Sequence, residues 1–150
     1  MNAFIFDFNR TLFDPEENRI EEEAFPLLEF LKGKRCKLAL LSVGDKSREE
    51  QIKPIFSFFD IIVIVQDKSE RCFLDIAQQL AVKPSTIIVV GDRIAREIVL
   101  GKKCGMKTIW LQRGQFSTEI PQNDLEQPDY TFTCLSDITM FLKNRKLGGI

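Results

Sequence analysis

Short apolar runs alternate with amphipathic segments along almost the whole chain, and this alternation limits the folds open to it. The runs are rich in β-branched and aromatic side chains, which is typical of buried strands. They cover residues 4–6, 37–41, 61–65, 86–90, 108–111 and, as a shorter sixth run, 130–133. Strands that alternate with helices join through crossovers and pair in parallel. The sequence therefore predicts an α/β fold with a mainly parallel sheet of five to six strands and helices on both faces.

Apolar residues at helical spacing fill the intervals between the predicted strands. We expect helices over residues 20–31, 47–53, 70–80 and 94–104, and a last helix from about residue 135. Ser69 is expected to cap the third helix and Gly105 to follow the fourth. Residues 14–18 read as a polar turn. At 150 residues, the span 1–150 is predicted to form one domain.

Composition excludes several classes of protein. The formal net charge of -1 gives no field that favours nucleic acid or an anionic membrane, and no apolar run is long enough to span a bilayer. The chain has no histidine, which removes Ser-His-Asp and Cys-His mechanisms. Its four cysteines are far apart and form no CxxC pair, so we expect reduced thiols in a cytoplasmic protein rather than disulfides or a zinc site.

Polar residues that can take part in catalysis or bind a ligand follow four of the predicted strands. In open α/β sheets, ligands bind just beyond the carboxyl ends of the strands, so these side chains are expected to meet. They are Asp7, Asn9 and Thr11 after the first strand, Ser42 after the second, Lys68 after the third, and Asp92 and Glu97 after the fourth.

Each of these residues also has a plainer interpretation. Asp7 and Ser42 are common turn residues, and Asp92 after Gly91 would cap the next helix. Thr11 would pack behind the loop. Lys68, in the polar stretch 66–71, and Glu97, next to Arg96 on a predicted helix, would be surface charges.

The order of these residues resembles the four motifs of the haloacid dehalogenase-like (HAD) superfamily. Those motifs are a strand ending in DxDxT, a strand ending in Ser or Thr, a lysine before a helix, and a GDxxxxD-type acidic pair. Here they correspond to residues 4–11, residues 38–42, Lys68, and Gly91-Asp92 with Glu97. Residues 89–111 are also similar to the usual passage from the fourth strand into the fifth in that superfamily. The resemblance covers essentially the whole chain and implies a three-layer Rossmann-like fold.

The resemblance implies a Mg²⁺-dependent phosphohydrolase in which Asp7 forms an aspartyl-phosphate. A carboxylate can act as a nucleophile, and Mg²⁺ is suited to oxygen ligands and would offset the repulsion between phosphate and carboxylates. The ion would be held by Asp7, the main chain of Asn9 and Asp92. Glu97 would bind it directly or through a water molecule.

Other residues at the strand ends would bind the substrate. Ser42 and Thr11 can donate hydrogen bonds to phosphoryl oxygens or to Asp7, and Lys68 supplies positive charge for the transfer. The expected partner is a phosphorylated substrate, either a small molecule or a macromolecule.

Two residues of the first motif depart from the superfamily pattern. Phosphatases of the superfamily carry an aspartate at the position of Asn9, and asparagine cannot shuttle a proton. General acid–base catalysis is typically worth about a hundred- to ten-thousandfold in rate, so turnover is expected to be slow, least so for good leaving groups. Arg10 replaces the usual glycine and would either contact the substrate phosphate or narrow the entrance.

The intervals between the first three motifs leave no room for an inserted domain, so the chain resembles a capless member. An open site would admit large substrates, or small ones if a homo-oligomer covers the opening. Two alternatives to the phosphohydrolase remain. One is a catalytically impaired protein that binds a phosphate group or a protein partner, which Asn9 favours. The other is a dehalogenase-type hydrolase, against which the missing cap counts.

Overall fold

The computed structural model describes residues 2–145, which form two sheets and five α-helices. The strands are β1 (Ala3–Phe6), β2 (Phe13–Asp14), β3 (Arg19–Ile20), β4 (Lys37–Val43), β5 (Ile61–Val65), β6 (Ile87–Gly91), β7 (Lys107–Leu111) and β8 (Tyr130–Phe132). The helices are α1 (Ala24–Gly33), α2 (Ser47–Ile52), α3 (Glu70–Leu80), α4 (Val99–Lys103) and α5 (Leu135–Lys143). No helix among the described residues is long and apolar enough to cross a membrane.

Six strands form the main sheet in the order β5-β4-β1-β6-β7-β8, and every neighbouring pair is parallel. The side chains of β1 alternate between the two faces. Phe4 and Phe6 pack with α1 and α5, whereas Ala3 and Ile5 pack with α3. Both faces are therefore covered by helices, and the predicted three-layer α/β architecture is confirmed.

The strand order reverses its direction at β1, which pairs with β4 on one side and β6 on the other. Chain connections leave such a point in opposite directions, and this opens a crevice beyond the carboxyl ends of the two strands. The Asp7 amide donates to the carbonyl of Val90 at 2.9 Å, which holds the end of β1 beside the end of β6. The fold thus brings the polar residues after these strands together.

The first predicted helix begins later than expected. Residues 13–20 form the antiparallel hairpin β2–β3, in which Phe13 pairs with Ile20, and α1 begins only at Ala24. Phe13 and Ile20 are both buried against the core, so packing of the hairpin overrides the helical spacing that begins at Ile20. The predicted turn at residues 14–18 is confirmed over residues 15–18, which connect the two strands of this hairpin, whereas Asp14 ends β2.

The predicted helix over residues 94–104 is also divided. A π-helical turn, Ile94–Ile98, precedes α4, and it turns the side chain of Glu97 inward. Gly91 makes room for that side chain, because a Cβ atom at Gly91 would lie 2.6 Å from Cγ of Glu97. Gly105 follows α4 with a φ of 78°, as predicted for a helix C-terminus.

Candidate active site

Asp7 lies at the end of β1 and is almost completely buried. One carboxylate oxygen, Oδ1, accepts a hydrogen bond from Nζ of Lys68 at 2.7 Å. The other, Oδ2, accepts one from the Thr11 hydroxyl at 3.1 Å. These two bonds fix the plane of the carboxylate.

Lys68 joins Asp7 to Glu97 in a buried ion-pair network. Its ammonium group contacts Asp7 at 2.7 Å and Oε1 of Glu97 at 2.8 Å, and its side chain is only 1% exposed. Burial acts to lower the pKa of Lys68, but Asp7 and Glu97 outweigh that effect and hold the pKa above its ordinary value. Lys68 is therefore a fixed positive charge between two carboxylates.

Asp92 follows β6 and faces the same crevice. Burial, with the charges of Asp7 and Glu97, raises the pKa of Asp92 from its ordinary 3.8 to about 7. Arg10 opposes this rise by pairing with Asp92, with 3.3 Å between Nε and Oδ2. Arg10 itself lies in the left-handed region, at a φ of 62°.

The acidic cluster has the properties of a divalent-cation site. Asp7, Asp92 and Glu97 each offer an oxygen atom, and these atoms lie within 4.8 Å of one another. Oε2 of Glu97 is buried and has no hydrogen-bond partner among the residues that the structure describes. Burial and the charge of Asp7 raise the pKa of Glu97 despite the opposing effect of Lys68. Hard oxygen ligands of this kind suit Mg²⁺, so the residues fit the ion.

A cavity of about 180 Å³ opens beside Asp7 and Asp92. Ser42 lines it from β4, where its hydroxyl is buried and makes only a long contact, 3.4 Å, with the carbonyl of Val43. Asn9 and Arg10 line it from the loop after β1. The hydroxyl of Ser42 thus retains the capacity to donate to an oxygen atom in the cavity.

Several plainer interpretations of these residues are wrong. Lys68 and Glu97 are not solvated surface charges, because they are 6% and 2% exposed. Thr11 does not merely pack behind the loop, since it donates to Asp7. The turn after β6 is not capped by Asp92: its first amides, of Ile94 and Ala95, donate to the carboxylate of Glu119 at 2.9 and 3.0 Å.

The structure also brings residues to the site that the motif pattern did not indicate. Arg48, Arg93, Arg96 and Phe116 line the cavity, and Glu119 holds the π-helical turn. Arg93 directly follows Asp92 and Arg48 follows the end of β4, so closeness to strand ends was an available signal for these two. Phe116 and Glu119 lie in the long connection between β7 and β8, where the sequence gives no such signal.

Comparisons with known proteins agree with this fold. Residues 67–138 match the family described as HAD-hydrolase-like. The chain is 31% identical over 116 residues to a glyceraldehyde 3-phosphate phosphatase of Methanopyrus kandleri, which covers 72% of this chain and 50% of the relative. The chain thus spans about half the length of that curated relative.

Two solved structures have the same fold. A HAD phosphatase from Thermococcus onnurineus superposes with a TM-score of 0.82 at 16% identity, over 95% of this chain and 98% of that one. A D,D-heptose 1,7-bisphosphate phosphatase from B. bronchiseptica, crystallised with magnesium and phosphate, superposes with a TM-score of 0.75 at 14% identity over the same shares.

These matches, with the motif residues gathered at the ends of β1, β4 and β6, support the resemblance of the chain to the HAD-like superfamily. The three proteins named above are phosphatases, and the matching family is described as a hydrolase family.

Proposed function

We propose that the protein is a Mg²⁺-dependent phosphohydrolase that works through an aspartyl-phosphate on Asp7. The observation that carries the proposal is the arrangement around Asp7, whose oxygens are fixed by Lys68 and Thr11 and lie next to Asp92 and Glu97. A positioned carboxylate can attack phosphorus and split one difficult hydrolysis into two easier steps.

Charge explains why a cation belongs in this proposal. Three carboxylates face the positive charges of Lys68 and Arg10, and a phosphate would add about two negative charges. Asp7, Asp92, the main chain of Asn9 and Glu97, directly or through water, would hold Mg²⁺. When bound, the ion would offset this repulsion and polarise the phosphoryl group.

The remaining steps belong to the side chains of the protein. Lys68 orients Asp7 for attack in line with the leaving group, and Ser42 donates to a phosphoryl oxygen. The phosphoryl group moves from the leaving oxygen to an oxygen of Asp7, and water then releases inorganic phosphate and regenerates the carboxylate. Asn9 cannot protonate the leaving oxygen, so aryl and acyl phosphates would react faster than alkyl phosphates.

Phosphate binding without turnover is the second candidate. Asn9 at the position of the general acid favours it, and so does the contact of Arg10 with Asp92, which occupies one carboxylate of the acidic cluster. The same ion pair would have to open, or share Asp92, for a metal ion to bind.

The test measures hydrolysis of p-nitrophenyl phosphate with Mg²⁺ by the unaltered protein and by the Asp7→Asn variant. We expect activity that needs Mg²⁺ and that falls to the level of buffer in the variant. Asp75→Asn is a matched control, because Asp75 lies on α3, belongs neither to the acidic cluster nor to the lining of the cavity, and is half exposed. Equal rates in the unaltered protein and Asp7→Asn would overturn the enzymatic proposal and favour phosphate binding.

A further inference from the structure

Arginine is concentrated around the cavity beside Asp7. Arg10, Arg48, Arg93 and Arg96 all line it, together with the aromatic ring of Phe116. Arg10 and Arg93 both stack on that ring, with their guanidinium carbons 5.2 and 4.5 Å from its centre. The ring thus holds two guanidinium groups at the wall of a narrow cavity.

Three of the four arginines make no ion pair with any residue that the structure describes. Arg10 pairs with Asp92, but the guanidinium of Arg48 donates only to neutral oxygens, those of Val43 at 3.1 Å and Gln51 at 2.9 Å. The Nε atoms of Arg48 and Arg93 are buried and have no hydrogen-bond partner. Partly buried guanidinium groups that lack a direct ion pair favour the binding of an anion.

A single phosphoryl group does not balance this charge. The three carboxylates and a phosphoryl group carry about five negative charges, and Lys68, Arg10 and a divalent cation carry four positive ones. Arg48, Arg93 and Arg96 then add three more positive charges, and Asp45, whose charge acts on Arg48, offsets one of them, which leaves an excess of about one. A second anionic group on the substrate would restore the balance.

We infer that the substrate carries a second anionic group, a carboxylate or another phosphate, close to the phosphoryl group that is transferred, and that Arg48, Arg93 and Arg96 bind it. The inference rests on the proposed function for the place of the first phosphoryl group. Guanidinium groups suit this task because their planar set of donors matches the oxygens of carboxylate and phosphate.

The size of the cavity limits the spacing of the two groups. Its volume of about 180 Å³ corresponds to roughly six water molecules at about 30 Å³ each. That is enough for a phosphoryl group and a few further atoms, so the two anionic groups are separated by a short linker. The part of the substrate that enters the cavity is therefore small and doubly anionic.

The test compares three phosphate esters, two of ethylene glycol and one of glycolic acid. Phosphoglycolate carries a carboxylate as its second anionic group, ethylene glycol bisphosphate carries a phosphate, and 2-hydroxyethyl phosphate carries a neutral hydroxyl. Turnover is measured on the unaltered protein as kcat/KM, and binding is measured by calorimetry on the Asp7→Asn variant, so that affinity is obtained whether or not hydrolysis occurs. We expect at least one doubly anionic ligand to be preferred over the neutral one by about tenfold or more.

Arg96→Gln and Arg93→Gln are expected to reduce the preference for a doubly anionic ligand. The ratio of its kcat/KM or affinity to that of the neutral ligand should fall toward one. Among the described residues, the half-buried side chain of Arg96 makes no hydrogen bond or ion pair, and that of Arg93 stacks on Phe116. Arg71→Gln is the matched control: its side chain is 80% exposed on α3, and the ratio should not change. The comparison of the two doubly anionic ligands decides between carboxylate and phosphate.

The outcomes separate this inference from the proposed function. Hydrolysis with no preference for a doubly anionic ligand, or a preference that survives both arginine substitutions, overturns the inference and leaves the phosphohydrolase. A preference in binding with no hydrolysis supports the second anionic group and overturns the enzymatic proposal. Equal, weak binding of all three ligands without hydrolysis overturns both.

Discussion

Asn9 is the residue whose chemistry most limits the proposed reaction. It lies two positions after Asp7 and lines the same cavity, so a side chain there can reach a leaving oxygen. An amide can donate a hydrogen bond but cannot give up and recover a proton near neutral pH. The other polar residues of the site, Thr11, Ser42 and Lys68, already have positions that fit phosphoryl transfer.

Replacing Asn9 by aspartate should therefore increase turnover of poor leaving groups. We expect Asn9→Asp to raise kcat/KM for alkyl phosphates by about tenfold or more, a part of the hundred- to ten-thousandfold that general acid–base catalysis typically supplies in full. The gain for p-nitrophenyl phosphate should be much smaller, because its leaving oxygen needs no proton. A steady-state comparison of both substrates checks this. No gain with either would mean that residue 9 does not act on the leaving oxygen.

At the scale of single elements, the π-helical turn Ile94–Ile98 decides the geometry of the acidic cluster. Glu119 accepts hydrogen bonds from the first two amides of this turn. Gly91, at the end of β6, leaves space for the side chain of Glu97. These two contacts place the backbone of Glu97 so that its carboxylate can form the ion pair with Lys68. The same turn follows Asp92, so the positions of two carboxylates depend on it.

We expect Gly91→Ala to distort this turn. The added Cβ atom would lie 2.6 Å from Cγ and 2.7 Å from Cβ of Glu97, which forces the helix away from β6. Overpacking of this kind typically lowers the free energy of unfolding by about 1–3 kcal/mol, and Mg²⁺-dependent activity should fall with it. Urea unfolding and activity measurements check both effects.

Gly33→Ala is the matched control for this substitution. A Cβ atom at Gly33, the last residue of α1, would meet nothing within 4 Å, so stability should be unchanged or rise by up to about 1 kcal/mol. Equal stability and activity of the Gly91 variant and the control would show that the turn tolerates the methyl group.

For the molecule as a whole, the site concentrates negative charge in a buried crevice at the centre of the sheet. The raised pKa of Asp92 has a definite consequence for stability. A carboxyl whose pKa is higher in the folded than in the unfolded protein favours folding at low pH, and this contribution is lost as pH rises from about 4 to about 7. Above pH 7, Asp92 is ionised and a cation would relieve the repulsion.

Mg²⁺ should therefore stabilise the protein more at pH 8 than at pH 5.5. At a concentration of about 100 times the dissociation constant, one bound ion adds about 2.7 kcal/mol, which raises Tm by roughly 5–10 °C for a chain of this length. At pH 5.5 the ion must displace a proton from Asp92, so the shift should be smaller. Thermal unfolding with Mg²⁺ or EDTA measures the difference.

Two controls accompany this measurement. Asp92→Asn should abolish most of the Mg²⁺-dependent shift in Tm, and the exposed Asp75→Asn should retain it. Trp110, the one tryptophan of the chain, donates to the main-chain oxygen of Asp92 at 3.0 Å, so its fluorescence should report binding directly. A shift in Tm that is equal at both pH values, or that survives Asp92→Asn, would place the ion elsewhere.

The sequence by itself determined the alternation of strands and helices and the residues that follow the strand ends. Those features depend on neighbouring residues, because strand and helix periodicity is local and parallel strands bring their carboxyl ends to one edge of a sheet. Asp7, Thr11, Ser42, Lys68 and Asp92 could be named on this basis. The inward position of Glu97 could not, since it depends on Gly91 across the turn and on Glu119 from a distant segment.

Only the tertiary structure decided which charges surround the cavity. Arg10 pairs with Asp92 at a separation of 82 residues, and Phe116 from the connection before β8 holds the side chains of Arg10 and Arg93. Such contacts depend on how separate segments pack, which no local pattern encodes. Tertiary packing also decides the hairpin β2–β3, because burial of Phe13 and Ile20 outweighs the helical spacing of the sequence around Ile20. The sequence alone thus located the residues of the acidic cluster, and the packing of distant segments placed the arginines that line the cavity.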